Sequence, residues 1–254
     1  MIKTSLKHFL EITGGIAEKL DDNMEFELFA TIDSRTANSK TFFAAFIGEN
    51  VDGHEFVAAA ITNGAPFALT SKSVPYPHVR VPDVAKALIS LAKFNRKNLP
   101  NMTVIGITGS SGKTTTKDLL AHLLTISGNT VAPAESLNNE LGVPLLLLKC
   151  NSETKYCVVE MGARHKGDIA FLAEIAVPNI GVVLGVGSAH LGEFGSIEAI
   201  AETKSELIVG LPENGTAILG TYDLFTEKMA AGLNLKVIKF GEKNECDVRA
   251  ADIE

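Results

Sequence analysis

The chain has 254 residues, 46% of them hydrophobic and 21% charged, and a net charge of -7. That is ample apolar material for a buried core and for two domains, and the scattered lysines and arginines offer no positive face to a polyanion, so nucleic acid is not an expected partner. No apolar run approaches the roughly 20 residues that span a bilayer, and His8 and Glu11 interrupt the N-terminus before a signal-peptide core can form. The expectation is a cytoplasmic protein with no membrane insertion.

The first hundred or so residues alternate short apolar stretches with turn formers. Thr41 to Ile47 is followed by Gly48 and Asp52-Gly53, His54 to Ile61 has helical composition and stops at Asn63-Gly64, and Pro66 to Thr70 reads as a strand. These predict a small mixed α/β domain. After Pro82, Val84 to Phe94 puts Val84, Ala87, Leu88 and Leu91 on one helical face, and the polar stretch Asn95 to Asn101 marks a domain boundary, giving domains 1–98 and 99–254.

From Thr103 onward, strands alternate with amphipathic helices. The strands are Thr103 to Thr108, Tyr156 to Glu160 and Gly181 to Val186, and the helices are Lys113 to Ser127 and Asp168 to Ala176. Such alternation implies a mostly parallel sheet covered on both faces. Ser196 reads as the N-cap of a helix running to about Gly210, with Glu198 favourably placed in its first turn. The three cysteines, Cys150, Cys157 and Cys246, lack Cys-x-x-Cys spacing and read as ordinary thiols of a reducing compartment.

The chemistry is concentrated in Thr108-Gly109-Ser110-Ser111-Gly112-Lys113-Thr114-Thr115-Thr116, between an apolar strand and a helix whose Leu119, Leu120, Leu123 and Leu124 recur at helical spacing. This is the setting of an ATP-binding phosphate loop. Gly109 and Gly112 allow the backbone N–H groups, including those of Ser110, Ser111 and Thr115, to turn inward. The helix N-terminus adds positive potential, Lys113 reaches terminal phosphates and Thr114 can hold Mg²⁺. The strict Gly-x-x-x-x-Gly-Lys-Ser/Thr pattern wants glycine where Ile107 stands. A glycine- and serine-rich turn that merely caps a helix does not account for Gly-Lys-Thr at its start.

A phosphate loop specifies a nucleotide rather than a reaction. Glu160 ends a strand on the edge of the sheet where phosphates bind, so it either ligates Mg²⁺ or reaches solvent or caps the next turn. His190, after the glycine-rich Gly185 to Ser188, reads on its own as a turn histidine, and Lys204 as an exposed helix lysine.

Taken together these segments resemble the Mur ligases, ATP-dependent amide-bond-forming enzymes of peptidoglycan synthesis whose phosphate loop also has a Thr-Gly-x-x-Gly-Lys-Thr form. Three more stretches are similar to the members that add D-alanyl-D-alanine to UDP-N-acetylmuramoyl-tripeptide. They are Asn138 to Leu145, Glu160-Met161-Gly162-Ala163 with Gly167-Asp168-Ile169, and Ala189-His190-Leu191 with Phe194-Gly195-Ser196. Asp33-Ser34-Arg35 and the stretch from Phe43 to His54 resemble the family's uridine-nucleotide-binding domain. The resemblance implies ATP and Mg²⁺ as cofactors, with Lys113 on the ATP phosphates and Thr114 and Glu160 on one Mg²⁺. His190 and a carbamylated Lys204 would serve a second metal. Ser34, Arg35, Asn138 and Asn139 would contact UDP-N-acetylmuramoyl-tripeptide, and D-alanyl-D-alanine would attack an acyl phosphate. The sequence departs from the family pattern at Glu135-Ser136, where Gly-Asn is usual, and at Gly185, where Asn is usual.

The family has three domains, and this sequence stops inside the expected central one. The expectation is therefore a monomeric α/β protein with an N-terminal nucleotide-sugar domain and an incomplete ATPase domain, lacking the C-terminal domain and inactive by itself as a ligase. The ligase that adds the third peptide residue, a phosphate-loop kinase or GTPase, and a non-catalytic nucleotide-sugar-binding product are the alternatives.

Overall fold

The computed structural model describes residues 1–48, 51–133, 137–189 and 191–251. The chain divides into two compact units, Met1–Leu99 with Leu147–Ser152, and Pro100–Leu146 with Glu153–Glu254. The return of residues 147–152 to the first unit has no counterpart in the strand–helix alternation read from sequence.

The first unit contains β1 (Thr4–Ser5), α1 (Leu6–Thr13), β2 (Ile16–Glu18), β3 (Glu25–Phe26), β4 (Phe29–Thr31), β5 (Thr41–Ala44), α2 (Val57–Thr62), β6 (Ala68–Thr70), β7 (His78–Arg80) and α3 (Val84–Lys97). Its five-stranded sheet has the order β2-β7-β6-β5-β4, parallel except where β2 pairs antiparallel with β7. Phe42 and Phe43 are neighbours in β5 and so point to opposite faces, and both are fully buried. Phe42 stacks on Phe67 at 5.6 Å, and Phe9 of α1 meets both rings edge-on. On the other face Phe43 packs with Val57 and Ala60 of α2. Both sides of the sheet are therefore core.

Helix α3 begins as its sequence predicts, with the Asp83 side chain accepting from the Lys86 N–H. It ends later than expected. Asn95 and Arg96, read as part of a polar boundary, lie in its last turn and are buried. The reason is hydrogen bonding: Asn95 accepts from the Ile2 N–H at 2.8 Å and donates to the carbonyls of Leu147 at 2.8 Å and Cys150 at 2.9 Å. One side-chain amide thus satisfies backbone groups from two distant segments, which a window of local sequence does not reveal.

The second unit contains β8 (Thr103–Thr108), α4 (Lys113–Thr125), β9 (Thr130–Val131), α5 (Gly142–Leu147), β10 (Tyr156–Glu160), α6 (Asp168–Ala176), β11 (Ile180–Val183), α7 (Leu191–Phe194), α8 (Ile197–Val209), β12 (Thr216–Gly220), β13 (Lys236–Gly241) and β14 (Val248–Arg249). Its seven strands, in the order β14-β13-β12-β11-β8-β10-β9, are all parallel. The α/β class and the mostly parallel sheet agree with the sequence pattern. Strand β11 ends at Val183, so the glycine-rich residues up to Val186 form a loop beyond the sheet. Ser196 caps α8 by accepting from the Ala199 N–H.

Helix α4 presents a different face from the one its leucines suggested. Leu120 and Leu124 pack against Ile105, Ile107, Val158 and Val182, whereas Leu119 and Leu123 are 62% and 60% exposed. The buried position one turn before Leu120 and Ala121 is Lys117, whose Nζ donates to the Pro133 carbonyl at 2.7 Å. The inward stripe therefore starts with a lysine.

On the opposite face two glycines bring α8 close. Gly106 of β8 and Gly181 of β11 are register partners, and a Cβ on either would meet Leu207, at 2.9 Å and 3.3 Å. Leu207 fills the flat patch they leave, which fixes Lys204 one helical turn nearer the N-terminus of α8.

Replacing Asn95 by leucine leaves three backbone groups without their partner, and each such loss costs on the order of 1–3 kcal/mol. Urea denaturation should therefore show at least about 2 kcal/mol less stability. An unchanged midpoint would contradict the bracing role.

Candidate active site

The site is assembled where β8, β10 and β11 end side by side. Ile107 is paired with Glu160 and Thr108 with Val183, so the loops that follow these strands share one edge. The Thr108 hydroxyl donates to the Met161 carbonyl at 3.0 Å, tying the first two strand ends together. Gly112 has φ +81°, in the left-handed region, and a Cβ on Gly109 would stand 2.9 Å from the Leu184 side chain, so glycine is required at both positions. The Lys113 ammonium folds back on the loop and donates to the Gly109 carbonyl at 2.9 Å. Ser110 anchors the loop to the residues after β11, its N–H donating to the Gly185 carbonyl and its hydroxyl accepting from the Gly187 N–H at 2.8 Å. Ser111 and Thr115 are exposed.

Glu160 is 1% exposed. It accepts from the Thr114 hydroxyl at 2.9 Å and from the Asn138 side-chain amide at 2.8 Å. The alternatives of a carboxylate reaching solvent or capping a turn are thus excluded. Both of these donors are neutral, and no ion pair joins Glu160 to another described residue, so its environment suits a cation. Among the described residues no three His, Cys, Asp or Glu side chains converge, so such a cation would rest on one carboxylate, a hydroxyl and ligand oxygens, as Mg²⁺ beside phosphates does.

Lys204 overturns its reading as an exposed helix lysine: it is 8% exposed. Burial, helped by the charge of Lys113, pushes its ammonium down to a pKa of about 8. A cavity of about 580 Å³ opens beside it, its lining including Gly109, Lys113, Asn138, Asn139, Arg164, His165 and Lys204. The structure thus brings together Gly109, Lys113, Asn138, Asn139 and Lys204, with Thr114 and Glu160 joined to Asn138. Asn139 also accepts from the Gly142 N–H at 2.9 Å through its side-chain oxygen, starting α5.

Position 190 and positions 134–136 lie outside the described residues, so the readings of His190 and of Glu135-Ser136 are not placed. Ser34 and Arg35 belong to the first unit, in a tight turn after β4. The Asp33 carboxylate, hydrogen-bonded by the Arg35 guanidinium and backbone, has its pKa pulled down to about 2. Nearby in sequence, Asp52 is held by Lys72 at 2.6 Å and by the His54 ring, and His54 in turn accepts from the Ser71 N–H at 3.0 Å.

The chain matches the Mur ligase middle domain over residues 107–254 and the model described as Mur ligase family, catalytic domain, over residues 28–102. The chain belongs to the Mur ligase family. It is 40% identical to the UDP-N-acetylmuramoyl-tripeptide--D-alanyl-D-alanine ligase of Mycobacterium bovis, over 100% of this chain and 55% of that protein. MurF from Acinetobacter baumannii has a similar structure, with TM-score 0.86 and 35% identity over 99% of this chain and 56% of that one. So has MurF from Thermotoga maritima in complex with ADP, with TM-score 0.73 and 34% identity over 86% of this chain and 51% of that one. The chain thus spans about half the length of the relatives it matches.

Two polar residues that hold segments next to this site escaped the sequence reading. Lys117 is signalled by its spacing, since positions 117, 120, 121 and 124 form the inward face of α4. Asp223 follows β12, and its only local signal is Asp-x-x-Thr turn chemistry.

The depressed pKa of Lys204 gives a signed pH dependence. Below pH 8 the residue is charged in folded and unfolded chains and its burial cost is fully present. Between about pH 8 and the ordinary lysine pKa near 10.5 the unfolded chain holds more protons, so stability rises with pH. Lys204→Met should abolish that rise and stabilise the chain at pH 7 by at most about 3 kcal/mol. Parallel stability–pH curves for the two proteins would refute it.

Proposed function

We propose that this chain supplies the nucleotide-sugar and ATP-binding portions of a ligase that adds D-alanyl-D-alanine to UDP-N-acetylmuramoyl-tripeptide in peptidoglycan precursor synthesis. The observation that carries the reading is the buried Glu160 carboxylate, bonded to the phosphate-loop hydroxyl of Thr114 and to the amide of Asn138, which lines one cavity with Lys113 and Lys204. The names of the relatives above support the substrate assignment, and the ADP complex of the Thermotoga protein supports the nucleotide.

In this reading the N–H groups of Gly109 to Thr115 cradle the ATP phosphates, and Lys113 exchanges the Gly109 carbonyl for a terminal phosphate oxygen. Thr114 and Glu160 would hold one Mg²⁺, and His190 with Lys204 a second, which when bound would offset charge between the two reacting anions. Asn138 fixes the Glu160 carboxylate by its amide. The depressed pKa of Lys204 favours the neutral amine, which attacks CO₂ and releases a proton to leave a carbamate, exchanging a cation for an anion. The tripeptide carboxylate displaces ADP from the γ-phosphorus to give an acyl phosphate. The amine of D-alanyl-D-alanine then attacks that carbonyl, phosphate leaves, and an amide remains, so catalysis is largely positioning and charge compensation. Ser34 and Arg35 are assigned to the uridine nucleotide and the cavity side of Asn138 and Asn139 to the peptide.

In a protein spanning the full length of these relatives, phosphate release should require both UDP-N-acetylmuramoyl-tripeptide and D-alanyl-D-alanine, and Glu160→Gln and Lys204→Ala should each lower kcat by about 100-fold or more. Turnover with the dipeptide nucleotide and a free diamino acid would instead identify the third-residue-adding ligase, and turnover unaffected by Lys204→Ala would favour a simple phosphate-loop kinase. Under ¹³C-labelled bicarbonate the wild-type chain should give a carbamate carbon resonance that Lys204→Ala lacks. Its absence from the wild type would remove Lys204 from the metal site.

A further inference from the structure

Asp223 lies beyond the end of β12, outside every motif discussed so far. Its Oδ1 accepts from the N–H groups of Phe225 and Thr226, both at 2.8 Å. Its Oδ2 accepts from the Thr226 hydroxyl at 2.7 Å and from the Val186 N–H at 2.9 Å. Three of these bonds are local and shape the turn after β12. The fourth crosses to the loop after β11, and that loop is the one Ser110 grips.

The grip has three parts: the Ser110 N–H donates to the Gly185 carbonyl at 3.0 Å, the Gly187 N–H donates to the Ser110 hydroxyl at 2.8 Å, and that hydroxyl lies 3.1 Å from the Gly187 carbonyl. Val186 is thus held from one side by Asp223 while its two neighbours are held from the other by the phosphate loop. Leu184, one residue earlier, packs beneath Gly109 and Gly112. A Cβ at position 185 would stand 3.4 Å from the Asp223 Oδ2, an ordinary van der Waals contact, so this bond does not itself require glycine at the place where the sequence departs from the family pattern. A carboxylate is suited to this place because each oxygen accepts two bonds at once, and an amide cannot supply four acceptances.

We propose that Asp223 is a positioning residue for the phosphate loop: through the Val186 N–H it fixes residues 185–187, and these fix Ser110 and hence the backbone that faces the nucleotide phosphates. The proposal rests on the phosphate-binding reading above for its consequence, and on the hydrogen-bond chain alone for its structural part. Asp223 touches no phosphate-loop residue directly, so its effect travels through a loop that has to be rigid to transmit it.

The test separates transmission from simple turn stability. In Asp223→Asn the second oxygen becomes an amide donor facing the Val186 N–H, whereas Thr226→Val removes a bond to the same oxygen and leaves Val186 held. Hydrogen exchange on the nucleotide-free chain should then rise in peptides covering 184–189 and 107–114 for Asp223→Asn, and only around 222–228 for Thr226→Val. Ser110→Ala supplies the same test from the other end, and should loosen 184–189 but not 222–228 even should Asp223→Asn fail to fold. With MgATP as probe, Asp223→Asn and Ser110→Ala should each weaken binding about tenfold. The double variant should be within about twofold of the weaker single one, because both act on one loop. Unchanged exchange at 107–114 in folded Asp223→Asn, unchanged exchange at 184–189 in Ser110→Ala, or additive losses of affinity would overturn the proposal. A wild-type chain that does not bind MgATP would refute the phosphate-binding reading, and the exchange comparison would still decide the coupling.

Discussion

The site depends on the parallel pairing of β8 with a strand on each side. Because β10 and β11 run in the same direction as β8, their C-terminal ends emerge together, and the register sets Glu160 beside Ile107 and Val183 beside Thr108. The phosphate loop, the carboxylate that bonds Thr114 and the loop that grips Ser110 are consequences of that alignment. In an antiparallel arrangement these loops would leave from opposite edges, and no side chain could bring them together.

Packing on the two faces of the sheet then decides which helices reach this edge. The glycine pair formed by Gly106 and Gly181 lets α8 approach until Leu207 fills the gap, and Lys204 is carried to the cavity on the same helical face. The ammonium placed there is strained by burial and by Lys113. Sites that store unfavourable electrostatics in this way gain reactivity at the expense of stability. In the first unit the opposite balance holds: the stacked phenylalanines and the fully bonded Asn95 contribute stability with no strained group among them.

Lys117 and Asp223 carry polar bonds that hold chain segments together beside the phosphate loop. Lys117 fastens Pro133, in the segment after β9 and shortly before Asn138, to the helix that starts with Lys113. Asp223 fastens the loop next to Ser110 to the turn after β12. Both connect segments far apart in sequence at the one edge where geometry has to be held closely, and buried polar networks that are fully bonded confer that kind of definition.

By itself the sequence determined the elements and their type. The alternation of strands and helices after Thr103 requires a parallel sheet, Ser196 can only be a good N-cap, and Gly109, Gly112 and Lys113 in their order specify a phosphate loop, because each of these follows from bonding within a few residues. Tertiary structure alone decided what depends on distant partners. Asn95 looked like linker until Leu147 and Cys150 supplied carbonyls, Leu119 and Leu123 looked like core until the face of Lys117, Leu120 and Leu124 turned inward instead, and Lys204 looked exposed until two glycines drew its helix inward. Composition fixes how much of a chain must be buried, but which polar group is worth burying is settled only when the donor and acceptor from elsewhere in the chain arrive beside it.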